Sequence, residues 1–241
     1  MKKIALMLAS AALLLAGCSS SGQDTLTVFA ASSLKNTFTE LGKQFEADHP
    51  GTTVTFNFAG SSDLVAQLQQ GAPADVFASA DEANMQKAGD LVKSPTNFAT
   101  NSMMIAVPPD NPASIQEFAD LSDAQVVVCA PEVPCGAATE KIEQNSGVTL
   151  KPVSEEASVT DVLNKVTTGE ADAGVVYVTD VQAAGDKVQG IKIPTDINAV
   201  NTYPIAVVAG SEQTTLAQDF ANLVTGPEGQ KVMSDAGFGA P

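Results

Sequence analysis

The chain has 241 residues, is 44% apolar and 5% aromatic, and sets 28 acidic against 12 basic side chains, for a formal net charge of −16. That balance leaves no basic face to neutralise phosphates, which excludes nucleic acid as a partner and disfavours an anionic lipid surface. Every basic residue is a lysine, so an anion site here cannot use the guanidinium fork and must rely on hydroxyls, backbone N–H groups and helix ends.

Lys2 and Lys3 open the chain, an apolar run fills 4–16, and Leu15-Ala16-Gly17-Cys18 has the form of a bacterial lipoprotein cleavage box. The run is too short to span a bilayer, so residues 1–17 read as a removable leader. Cys18 is then the lipidated first residue of the mature chain, and 18–24 is a flexible tether. The protein is expected outside the cytoplasm, held to the cell membrane only through its lipid. A plain secretory leader with a chance cysteine is the alternative. The remaining length, about 220 residues, suits one large domain or two lobes of about 100 each.

From there strands and helices alternate, which predicts an α/β fold with largely parallel sheets. A strand over 26–31 leads to a helix with Leu34, Phe38, Leu41 and Phe45 at helical spacing, ended by His49-Pro50-Gly51. A strand over 53–58 leads to a helix carrying Leu64, Val65 and Leu68, broken by Gly71-Ala72-Pro73. A short strand over 75–79 follows, with Asp81 as the next N-cap. The pattern then gives a strand over 103–107, a helix from about Ser114, a strand over 125–130, a helix near Gly136 and a strand near Leu150. After Ser158, the residues Val159, Val162, Leu163 and Val166 form a helical stripe. Strands over 173–178 and 203–209 precede a helix with Leu216, Phe220, Leu223 and Val224, and Gly226-Pro227 opens the last helix. Pro/Gly punctuation at 108–112 and near 201–204 marks candidate crossings between lobes.

Two segments share one build. In Phe29-Ala30-Ala31-Ser32-Ser33-Leu34 and Phe58-Ala59-Gly60-Ser61-Ser62-Asp63-Leu64, an apolar strand ends in small residues and a serine pair starts a helix. Serines at such positions often only cap. Two pairs after consecutive strands, with Gly60 allowing close backbone approach, favour an anion site, because open α/β sheets bind ligands beyond the carboxyl ends of their strands. An enzyme is disfavoured: no Gly-x-Ser-x-Gly elbow occurs, and the single histidine, His49, sits in a turn. The same placement speaks against a side-chain metal site. Tyr203, beside Pro204, reads as structural.

The two serine motifs closely resemble those of the periplasmic molybdate-binding proteins of ABC importers. So do Gly71-Ala72-Pro73-Ala74-Asp75, Val133-Pro134-Cys135-Gly136, Gly174-Val175-Val176-Tyr177 and Gly226-Pro227-Glu228-Gly229, in the family's order. The resemblance implies a two-lobed periplasmic-binding-protein fold of type II with a hinge. Residues 25–104 with 206–241 would make lobe 1, and 105–205 lobe 2. It implies a tetrahedral oxyanion held by the hydroxyls of Ser33, Ser61 and Tyr177 and by the backbone N–H groups of Cys135 and Val159. The ligand would be molybdate or tungstate, with sulfate as the alternative, and no cofactor. A membrane permease would be the partner, and the chain would act as a monomer. Glu155 and Glu156, near that site, are expected to face solvent. With Cys18 assigned to lipid, Cys129 and Cys135 read as a disulfide in an oxidising compartment, free thiols or a redox pair being the rivals.

Overall fold

The computed structural model describes residues 24–241. The leader, Cys18 and the tether as far as Gln23 lie outside the described residues. Among the described residues no helix is long and apolar enough to cross a membrane.

Strand β1 (Asp24–Ala31) pairs in parallel with β2 (Thr52–Ala59) and with β3 (Val76–Ala78). Helix α1 (Lys35–Asp48) returns from β1 to β2, and α2 (Ser61–Gln69) from β2 to β3. Helix α3 (Glu82–Ala88) starts where expected, the Asp81 carboxylate accepting the Asn84 N–H at 2.8 Å. Phe38 and Phe45 of α1 are buried and meet Phe220 edge-on, with centroids 5.8 and 5.5 Å apart. Such pairs stabilise by about 0.5–1.5 kcal/mol beyond the area they bury.

The long strand β4 (Val92–Val107) joins the two lobes. Helix α4 (Pro134–Ser146) follows β5 (Val126–Cys129), and α5 (Val159–Thr167) follows β6 (Ser154–Glu156). Strand β7 (Ala173–Tyr177) runs into α6 (Val178–Ala184), and β8 (Gln189–Lys192) comes next. Strand β9 (Val200–Val208) then leads to α7 (Thr214–Thr225) and α8 (Pro227–Asp235). From Val92 to Ser102, β4 pairs antiparallel with β9, which also pairs with β3. From Met103 to Val107 it pairs antiparallel with β7 and β8, while β5 lies parallel to β6 and β7. Each lobe therefore has the expected parallel half. The other half is antiparallel because the chain crosses between lobes along extended strands rather than through helices.

Several expectations fail locally. Between Ser102 and Met103 strand β4 changes partner from β9 to β7, so the Pro/Gly stretch at 108–112 merely ends that strand. The helix expected from Ser114 is absent. Asn111 and Ser114 take left-handed φ angles of 41° and 55°, and a short 3-10 turn forms only at Phe118–Asp123. The strand expected near Leu150 begins at Ser154. Helix α6 and strand β8 were not anticipated, nor was the exposed first half of β4.

Candidate functional site

The carboxyl ends of β1, β2 and β7 and the starts of four helical segments converge on one narrow cleft between the lobes. Its walls include Ser33, Ser61, Cys135, Val159 and Tyr177, so all five residues expected to hold an anion meet there. Ser33 lies in the 3-10 turn Ser32–Leu34 that precedes α1, and Ser61 is the first residue of α2. From the other lobe, Cys135 follows Pro134 in the first turn of α4, and Val159 opens α5. Tyr177 closes β7 with 1% of its surface exposed. The cleft volume is about 10 Å³, room for about one water.

Local sequence explains the donors. The first N–H groups of any helix lack an intrahelical acceptor. In α5 the Ser158 side chain accepts the Asp161 N–H at 3.3 Å, while the N–H of Val159, the first helical residue, has no acceptor within the helix. In α4 the N-cap, Val133, has no side-chain acceptor to offer. Gly60 is required by the other lobe, since a Cβ there would lie 2.2 Å from the Ala157 carbonyl oxygen. Ser61 Oγ accepts the Ala80 N–H at 2.9 Å, so its own proton is free for another acceptor.

Among the described residues that line this cleft, none is charged, and no His, Cys, Asp and Glu come together in a group able to hold a metal ion. Helix N-termini aimed at an anion contribute about 0.3–1 kcal/mol each when exposed and up to about 2 when partly buried. A larger groove of about 340 Å³ adjoins Ser33, with Lys35, Asp180 and Asp235 among its walls.

Burial, and after it Tyr203, Asp81 and Asp180, push the Tyr177 hydroxyl well above its ordinary pKa, so it is a neutral donor throughout the physiological range. Burial likewise raises Asp180, whose carboxylate accepts the Tyr177 N–H at 2.9 Å, to about 7. Glu155 is exposed as expected. Glu156 is not, being half-buried and paired with Lys165 at 2.7 Å. Burial opposes ionisation of Glu156, yet the Lys165 and Ser154 hydrogen bonds hold its pKa below the usual value.

Cys129 and Cys135 are joined as a disulfide, with Cα atoms 5.6 Å apart. The bridge ties the end of β5 to the first turn of α4 and so fixes the segment that presents the Cys135 N–H. Tyr203, read as structural, packs edge-on against Tyr177, Phe98 and Phe238, but its hydroxyl also lies 3.1 Å from Ser33 Oγ. Asn101 and Asn201, direct partners across the β4–β9 ladder, were missed altogether. Asn101 Nδ2 donates to Thr179 Oγ1 at 2.8 Å, and Asn201 Nδ2 donates to Tyr177 Oη at 2.9 Å. Polar neighbours on both strands, Thr100 and Ser102 beside Asn101 and Thr202 beside Asn201, left no local signal to single them out.

Two α/β lobes joined by extended strands, with an uncharged cleft of hydrogen-bond donors between them, define a two-lobed ligand receptor. Residues 26–239 match the model of a family described as bacterial extracellular solute-binding protein. The molybdate-binding protein ModA of Mycobacterium tuberculosis (strain H37Rv) is 52% identical over 225 residues, covering 91% of this chain and 86% of that protein. The periplasmic molybdate-binding protein of Azotobacter vinelandii superposes with a TM-score of 0.75 at 21% identity, over 90% of this chain and 99% of that one. The sulfate-binding protein SubI of M. tuberculosis also superposes at 0.75 and 21%, over 89% and 86%, so backbone shape alone does not separate the two anions. The chain belongs to the bacterial extracellular solute-binding proteins, which are transport receptors and not enzymes.

Proposed function

We propose that the protein captures molybdate, and tungstate with it, outside the cytoplasm and delivers it to the membrane permease of an ABC importer. The observation that carries this reading is the convergence of Ser33, Ser61, Cys135, Val159 and Tyr177 on a cleft without charged walls. The hydroxyls of Ser33, Ser61 and Tyr177 and the amides of Cys135 and Val159 donate to the ion. Molybdate is fully deprotonated at neutral pH, so it accepts at every oxygen and suits a wall of donors. Residues 25–104 with 206–241 form lobe 1 and 105–205 form lobe 2, with the hinge in the strands that join them. Closure excludes water and strengthens each dipole. The lipobox supports an anchor at Cys18, through which a monomeric receptor stays near its permease.

Titration calorimetry with molybdate, tungstate, sulfate and phosphate tests the reading. Tight binding of the first two and at least about tenfold weaker binding of sulfate, a gap of about 1.4 kcal/mol, is expected. Preference for sulfate would reassign the ligand, and heat from none of the four would refute an oxyanion receptor.

A further inference from the structure

At the β4–β9 ladder between the lobes, the Asn201 side-chain nitrogen lies 3.0 Å from the Ala80 carbonyl oxygen, 3.2 Å from that of Pro134 and 2.9 Å from Tyr177 Oη. Two of these three acceptors are backbone carbonyls, which can only accept. They settle which end of the carboxamide faces this corner: it is the NH2 end. An amide nitrogen cannot accept a hydrogen bond, so the Tyr177 hydroxyl proton cannot point at Asn201. The NH2 group shares two hydrogens among three acceptors, so on that side Tyr177 Oη can only accept, and its O–H goes either to the neighbouring Tyr203 hydroxyl or to a ligand in the cleft. Tyr177 is buried and lines the cleft.

We propose that Asn201 is a positioning residue that fixes the Tyr177 hydroxyl as a donor to the bound oxyanion, and so selects fully deprotonated tetrahedral dianions over protonated ones. This rests on the oxyanion reading above. Ser61 is polarised in the same sense by the Ala80 N–H, and the Ala80 carbonyl in turn takes the Asn201 N–H. Asn201 thus steadies two of the three hydroxyls, one directly and one through the Ala80 peptide. Hydrogen arsenate and hydrogen phosphate each bring an O–H that needs an acceptor. A wall of donors offers none, and a buried donor without a partner is costly. Molybdate brings no proton and loses nothing.

Asn201→Asp tests this, because it exchanges the NH2 group for an oxygen of nearly the same shape. The new carboxylate gives up the Ala80 and Pro134 carbonyls as partners, and where it keeps its place it accepts the Tyr177 O–H and turns the Oη lone pairs toward the cleft. Its negative charge repels every dianion alike, so the readout is a ratio. Molybdate affinity is measured by calorimetry, and hydrogen arsenate affinity by displacement of molybdate, both near pH 8. The molybdate-to-arsenate ratio is expected to fall by about tenfold or more in Asn201→Asp, the worth of one hydrogen bond to a charged group. In a Tyr177→Phe background the same exchange should leave the ratio unchanged. A ratio within about twofold of the unaltered protein, or arsenate that still fails to displace molybdate from the variant, overturns the proposal.

Should the variant not fold, neutron diffraction from the unaltered, deuterated protein with molybdate bound decides. A deuterium on Tyr177 Oη directed at the ligand is expected, and one directed at Asn201 or at the Tyr203 hydroxyl overturns the role. If the unaltered protein binds molybdate and the ratio does not move, only the role of Asn201 is lost. If it binds no oxyanion, the receptor reading fails first.

Discussion

Ser61→Ala separates what a cap does from what a ligand-binding hydroxyl does. Ser61 is 1% exposed, and its Oγ is the acceptor for the buried Ala80 N–H at 2.9 Å. Deleting the oxygen strands that donor, at a cost of about 1–3 kcal/mol of stability. For a chain of this size each kcal/mol lowers Tm by about 2–4 °C. The ligand-free protein should therefore melt several degrees lower. The same deletion removes one donor from the oxyanion. A hydrogen bond to a charged group is worth about 1.5–3 kcal/mol, so Kd for molybdate should rise by about 10- to 150-fold. Scanning calorimetry without ligand measures the first effect, and titration calorimetry at a temperature where both proteins are folded measures the second. A drop in Tm with Kd unchanged within about threefold would show that Ser61 only serves the fold, and would refute the reasoning.

Three further outcomes follow from charge, burial and covalent structure. Burial raises Asp180 from 3.8 to about 7, so between those values the folded chain keeps a proton that the unfolded chain has lost, and stability falls as pH rises through that window. Asp180→Asn retains an acceptor for the Tyr177 N–H, so its Tm advantage over the unaltered protein should grow from pH 5 to pH 8; an advantage independent of pH would contradict the burial argument. Replacing Cys129 and Cys135 by alanine together opens a loop whose ends are six positions apart, and should cost about 2 kcal/mol in denaturant titration while weakening molybdate binding without abolishing it, because the amide at 135 survives. With a net charge of −16 the protein repels an approaching dianion at long range, so inert salt should raise the stopped-flow association rate, and a rate that falls with salt would be inconsistent with an uncharged cleft on an acidic protein.

The serine ends were legible because strand, small residues and serine sit next to one another in the chain. Asp81 was legible as a cap for the same reason: a cap acts within three residues of itself. Cys135, Val159 and Tyr177 came from family resemblance, with Ser158 and Pro134 supplying only the helix starts. The first half of β4 escaped notice because Lys93, Ser94 and Pro95 are exposed and interrupt the apolar alternation, and Ser94 even takes a φ of 46°. Ser114 suggested a helix start that the left-handed turn at Asn111 and Ser114 forecloses. The least legible feature was the layer behind the site. Tyr203 meets Ser33 across 170 positions, and Asn201 meets Ala80 across 121. Such pairs arise from the way two lobes share β4 and β9, and no local pattern encodes them.

On this reading neutral donors alone hold the ion. Anomalous scattering at the molybdenum edge, from crystals grown with molybdate, tests it most directly. One strong peak is expected, bounded by the hydroxyls of Ser33, Ser61 and Tyr177 and the amides of Cys135 and Val159. A peak beside a lysine, as in the neighbouring groove lined by Lys35, Asp180 and Asp235, is the opposite outcome and shows that a cation holds the ion.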